Sequence, residues 1–159
     1  MTQVTNIYLS TQSANTNWQS ENLVQFVESD LHICLKNSNT SSSREIQKAA
    51  RKIEKLGVKH ARLTGEHWNE ESQWSFALGF TCVGKLTNVE FTGNSEQVNK
   101  LNDKLAIFAW SRDLTNQTPS QLYPIKLAEL AADYINIQAP AYVTSNIISG
   151  DELQEKGWV

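Results

Sequence analysis

The sequence predicts an α/β domain in which helices cover a mixed, partly parallel sheet with a hairpin near the N-terminus. Three observations carry this. Short β-branched runs alternate with longer stretches of helical periodicity, with no internal repeat or low-complexity tract. Two of the early strand candidates are separated only by Ser29-Asp30, a pair suited to a hairpin turn. The chain has 159 residues, 40% of them hydrophobic. That is enough for one real core and too little for two ordinary ones.

The elements follow in order. VTNIYLS (Val4–Ser10) alternates and reads as a strand, and LVQFVE and LHICLK form the hairpin. The polar loop of residues 37–43 leads into a capping box, with Ser42 three residues before Glu45. The helix it opens places Ile46, Ala49, Ala50, Ile53 and Leu56 on one face, and Gly57 suits the position after its end. VKHARLTG reads as a strand. A second helix begins near Asn69, is expected to bury Trp74, Ala77 and Leu78, and ends around Gly79. NVEF is a short strand candidate. Residues 95–114 form a long helix, and residues 123–135 another, with Pro124 in its first turn. AYVTSNI reads as a strand, and Ser149 with Glu152 as a capping box opening a short helix that Gly157 stops.

The long helix is apolar on two sides. Val98, Leu101, Leu105 and Phe108 form one stripe, and Ile107, Trp110 and Leu114 cluster roughly opposite. Such a helix needs two partners: this domain's sheet for one, and a neighbouring helix or a further domain for the other.

Composition excludes several classes of function. A net charge of -3 argues against a nucleic-acid grip, which needs clustered cations. The one basic cluster, Arg44, Lys48, Arg51, Lys52 and Lys55, reads as the solvated face of a helix. No apolar run reaches membrane-spanning length and the N-terminus carries no apolar signal segment, so the expected location is the cytoplasm, without membrane partners. Cys34 and Cys82 sit in apolar surroundings and read as small buried thiols of a reducing compartment; spacing alone does not decide whether they pair.

No chemistry assembles from the motifs. His32 alternates with Leu31 and Ile33 in a strand, and His60 and His67 match no zinc spacing. There is no nucleophile elbow, no activated cysteine motif and no glycine-rich phosphate cradle. Gly65 in LTGEHW lies where α/β folds bind ligands, between a strand and a helix, but a single glycine there also fits a plain turn. The tryptophans, Trp18, Trp68, Trp74 and Trp110, read as core or interface anchors. Arg112 and Asp113 could form an anion clamp with a general base. Adjacent helical residues point about 100° apart, however, and no nucleophile or metal ligand stands near them in sequence. Arg112, Asp113, Asn116 and Pro124 are better read as a structural joint.

Three stretches carry a resemblance: EIQKAARKIEKLGVKHARLTGEHWNEESQWSFALGF, LNDKLAIFAWSRDLTNQTPSQLYPIKLAELAADYI and SGDELQEKGW. Together they resemble the N-terminal region of the leucine aminopeptidase family of two-metal exopeptidases, in its peptidase B branch. Arg112, Asp113, Asn116, Leu122, Pro124, Leu127, Ala128 and Ala131 stand where the family pattern has them. Thr118 departs from it, since the family usually has proline there and this chain has Pro119 next.

The resemblance implies a three-layer, macro-like fold over residues 1–105, with residues 106–159 as linking helices toward a C-terminal catalytic domain. It implies a cytoplasmic homohexamer acting on peptide substrates, with two divalent ions, manganese or zinc, held by that catalytic domain. The family's NTDAEGR signature is not in this sequence, so no catalytic, cofactor-binding or metal residue is carried over. The chain is then expected to be inactive alone. A stand-alone macro-like nucleotide-binding module, with its ligand at the turn near Gly65, is the alternative expectation.

Overall fold

The computed structural model describes residues 3–10, 22–35, 42–82 and 84–158. Two compact units are present, Met1–Ala109 and Trp110–Val159.

The first unit is built on five strands: β1 (Val4–Ser10), β2 (Val24–Val27), β3 (Asp30–Cys34), β4 (His60–Thr64) and β5 (Asn88–Glu90). Their order is β2-β3-β1-β4-β5. β1 runs parallel to β3 and β4, β4 runs parallel to β5, and β2 pairs antiparallel with β3. The expected α/β class, mixed sheet and early hairpin are therefore present. The hairpin turn falls on Glu28-Ser29, one residue before the expected Ser29-Asp30. Glu28 enters it at φ 55, and a positive φ at the first turn position alone is the pattern of a II′ turn.

Two helices make the parallel crossovers: α1 (Ser42–Lys55) from β3 to β4, and α2 (Glu70–Phe80) from β4 to β5. Ile7 and Leu9 of β1, Leu31 and Ile33 of β3 and Leu63 of β4 alternate onto one face of the sheet. They meet Ile46, Ala49, Ala50 and Ile53 of α1 and Phe76 and Phe80 of α2 in one core. Each fully buried large side chain there contributes about 1.5–3 kcal/mol. The helices approach closely because Gly79 lies against Gln47 and Ala50. Ser43 Oγ donates to Glu71 Oε1 at 2.8 Å and ties their N-terminal ends.

Some burial assignments change. Leu56, expected on the core face of α1, is 51% exposed because the helix has already ended at Lys55. Gly57 follows at φ 94, as its place after the helix requires. Ser42 is itself the first helical residue, so the Ser42–Glu45 capping box does not form as expected. Residues 36–41 lie outside the described residues. In α2 the deepest side chains are Phe76, Ala77 and Phe80, while Trp74 and Leu78 are only half-buried. Ser72, Gln73 and Ser75 are buried too, so α2 is covered on more than one side and a single apolar stripe does not describe it.

The opposite face of the sheet is polar. Asn6 Nδ2 donates to Asp30 Oδ1 at 3.0 Å, Tyr8 stacks on His32 at 4.9 Å, and Arg62 pairs with Glu90 at 2.6 Å. Each of these pairs lies in register on neighbouring strands. His32 is thus a residue of the sheet surface, as its alternation suggested.

Helix α3 (Ser95–Thr115) follows β5. Leu101 is fully buried, Val98, Leu105 and Phe108 are half-buried, and Ile107 on the other side is 51% exposed. Phe108 and Trp74 form a T-shaped pair at 5.6 Å between centroids, and Lys104 lies 4.4 Å over the same indole.

In the second unit, α4 (Pro124–Gln138) starts with Pro124 as expected, and Trp110 stacks on Tyr134 at 4.5 Å. AYVTSNI is not a strand: residues 141–147 form no ladder, and Tyr142 is 91% exposed. A β-branched pattern needs a sheet edge to pair with, and all five described strands lie in the first unit. The last helix, α5 (Asp151–Glu155), is entered through Gly150 at φ 60 with no side-chain cap, so the Ser149–Glu152 capping box does not form. Gly157 does stop it: Gly157 N–H donates to Gln154 O and Trp158 N–H to Leu153 O, the two bonds of a Schellman motif.

Candidate functional site

The carboxyl ends of β4 and β5 open onto a cleft of about 320 Å³, lined by residues that include Gly65, Glu66, Trp68, Gln73, Thr92 and Gln97. It is the place where a parallel α/β sheet offers a ligand its loops and helix N-termini. Gly65 turns the chain at φ 101, and a Cβ there would stand 3.4 Å from the Tyr8 ring. Trp68 is buried, and its Nε1–H is shared between Ile7 O and Thr64 O, each at 3.2 Å. It fastens the turn to both strands beneath it.

The polar groups of this cleft satisfy one another. Asn69 Oδ1 accepts from Ser72 N–H at 2.8 Å and Ser72 Oγ accepts from Asn69 N–H at 2.9 Å, a complete capping box on α2. At α3, Asn94 Oδ1 accepts from Gln97 N–H at 2.9 Å, and Asn94 N–H points back at Gln97 Oε1. Gln73, 4% exposed, uses both ends of its amide: Nε2 donates to Thr92 O and Oε1 accepts from Thr92 N–H, each at 2.9 Å. Glu66 and Glu70 add negative charge, with Lys100 paired to Glu70 at 3.0 Å. One first-turn donor of each helix, Ser72 N–H and Gln97 N–H, is thus taken by a cap, beside two carboxylates. That is a poor seat for a diphosphate, which needs free N–H groups and positive potential.

The remaining candidates do not converge. His67 is exposed on the turn and His60 opens β4 half-buried. The five cations of α1 are all exposed, as expected of a solvated face. Cys34 is buried and Cys82 half-buried, and both are free thiols. Trp18 lies outside the described residues. Among the described residues no three His, Cys, Asp or Glu side chains come together to hold a metal ion, so these residues do not fit a two-ion centre. Nor is any described helix long and apolar enough to cross a membrane.

Arg112, Asp113, Asn116 and Pro124, expected to form a joint, lie at the end of α3 and the start of α4. Arg112 O accepts from Asn116 Nδ2 at 2.7 Å, from Thr115 Oγ1 at 2.9 Å and from Asn116 N–H at 3.2 Å. Gln121 Oε1 accepts from Thr118 N–H and Thr118 Oγ1, and Leu122 N–H returns to Thr118 O. Asp113 is exposed. The polar residues of this segment therefore close a turn on its own backbone. The residue that sequence reasoning missed is Gln73, whose partner Thr92 lies 19 residues along the chain.

Residues 6–95 match a family described as Peptidase (DUF3663). The chain belongs to that peptidase family. In fold it is similar to the solved structure of the bottromycin maturation enzyme BotP in complex with Mn, with a TM-score of 0.65 and 16% sequence identity. The match covers 99% of this chain and 40% of that one, so this chain spans two-fifths of the length of the protein it resembles. The matched family segment coincides with the sheet, α1 and α2, and takes in the cleft turn.

Proposed function

We infer that this chain is the non-catalytic N-terminal α/β domain of a metal-dependent aminopeptidase of the leucine aminopeptidase type. One observation carries the reading: a member of a peptidase family has its whole fold matched inside 40% of a longer, Mn-bearing enzyme. The two divalent ions, manganese or zinc, would be held by a separate catalytic domain, and the Mn carried by the structural neighbour is consistent with divalent metal use. The parent would be a cytoplasmic homohexamer releasing N-terminal amino acids from peptides, with this domain serving assembly or substrate access.

The test is turnover of aminoacyl-anilides with added Mn²⁺ or Zn²⁺. The 159-residue chain is expected to be inactive, and the product of the uninterrupted natural reading frame to be active and sensitive to chelators. Chelator-sensitive turnover by the 159-residue chain alone would sink the reading.

A further inference from the structure

Helix α1 carries a ladder of cations. Counting from Arg44 at about 100° per residue, Lys48, Arg51, Lys52 and Lys55 fall at about 40°, 340°, 80° and 20° around the axis. All five are exposed, and the buried Ile46, Ala49, Ala50 and Ile53 fill the opposite side. The two acids of the helix lie outside this sector: Glu45 is half-buried, and Glu54 is paired with Lys85. From Arg62 to Lys156, five of the seven described Lys and Arg pair with a carboxylate at 2.5–3.4 Å, and Lys104 lies over the Trp74 ring. Among the described residues, none of the five cations of α1 has an acidic partner. Like charges three and four residues apart on a helix repel. Arg44, in the first turn, also meets the positive end of the helix dipole. The ladder therefore costs the free chain stability, and a facing row of carboxylates would relieve it.

We propose that this face of α1 docks an acidic helix of a partner protein. Arg44, Lys48, Arg51 and Lys55 follow at intervals of four, three and four residues, a line about 16 Å long and nearly parallel to the axis. A second helix has the same rise, so carboxylates at the same intervals meet all four cations at once. The order is the same read backwards, and either helix direction serves. An extended strand, rising about 3.3 Å per residue, falls out of step. Leu56, 51% exposed just past the last turn, adds an apolar contact at one end. The partner segment is short because the positive charge is confined to this face. With the five cations set aside, nine of the 14 Lys and Arg stand against all 17 Asp and Glu. A nucleic-acid duplex or an anionic membrane reaches past the ladder and meets that negative charge within a screening length of about 8 Å. The inference does not depend on where the catalytic part lies.

The test titrates the isotope-labelled 159-residue chain with two helical, alanine-based peptides of identical composition and follows the amide chemical shifts. One peptide carries four Glu at the four-three-four spacing, and in the other the four are spread around the helix. The aligned peptide is expected to shift the amides of α1 and to bind roughly fivefold or more tighter than its isomer. Raising NaCl from about 50 mM to about 500 mM should weaken it roughly tenfold or more. Lys48→Gln and Arg51→Gln should each weaken it by about two- to fivefold without lowering the thermal midpoint of the free chain. Lys126→Gln, which breaks a pair within α4, should leave the affinity unchanged. Equal binding of the two peptides, shifts centred away from α1, or no binding of either would overturn the docking. Tighter binding of a duplex of about 20 base pairs, or of phosphatidylglycerol vesicles, would also overturn it and place a different polyanion on the ladder.

Discussion

At Gly79 an added Cβ would collide with the backbone carbonyl of Gln47 and stand 2.9 Å from Ala50 Cβ. Backbone cannot swing aside as a flexible side chain can, so α1 and α2 would have to separate across the best-packed part of the core. Gly79→Ala is expected to destabilise the chain by about 1–3 kcal/mol in urea titration, although alanine is the better helix former. Gln73 acts through polarity instead. Gln73→Leu keeps the volume but strands the N–H and C=O of Thr92, each a buried-group cost of about 1–3 kcal/mol where water cannot reach. A stability equal to the parent's would show that the loop before α3 does not depend on this amide. Lys85 is held above its ordinary value of 10.5, chiefly by its hydrogen bond to Glu54 Oε1 at 2.5 Å, with loss of hydration pulling the other way. A raised folded value means this contribution is complete below the unfolded value and is lost as pH rises through the folded one. Lys85→Met should therefore lower the thermal midpoint at neutral pH and differ less from the parent once the pH passes the raised folded value.

At the scale of elements, the hairpin turn holds Glu28 at φ 55, where a residue with a Cβ is strained and glycine is not. Glu28→Gly is expected to be neutral or to stabilise by up to about 1 kcal/mol, where an exposed loop glycine ordinarily loosens the chain. A loss of more than that in a thermal melt would mean the turn relaxes elsewhere. Helix ends were legible in the sequence wherever one residue type supplies the missing bond or the required φ: Asn69 before α2, Pro124 at α4, Gly57 and Gly157 after their helices. Elements whose existence depends on a partner were not legible. AYVTSNI has strand chemistry and no edge to join, and α2 hides its buried face because it is covered on more than one side. The cleft was legible only as the turn near Gly65; the Gln73 latch reaches 19 residues along the chain, which no local pattern encodes. The caps on α2 and α3 also bear on the nucleotide alternative. Because Glu66 and Glu70 put negative charge on the cleft and each cap takes a first-turn donor, calorimetry with ADP-ribose is expected to show no heat of binding.

For the whole molecule, stability and apolar exposure reside in different units. The continuous core runs from Ile7 to Val89 and draws on the sheet, α1 and α2, with Leu101 of α3 also fully buried. From Trp110 onward, Leu114 is the buried hydrophobic residue among the described ones, while Tyr142 and Trp158 stand 91% and 67% exposed. A unit of this kind adds little to the free energy of folding and much to the apolar surface that drives association. Ending the chain after Asn116 keeps α3 intact, together with the side-chain bond that Asn116 returns to Arg112 O. That shorter chain is expected to keep a cooperative thermal transition within a few degrees of the parent's, because the core is untouched. It should also scatter less light at high concentration, having lost the exposed side chains of α4 and α5. A collapsed transition would place part of the folding energy in residues 117–159.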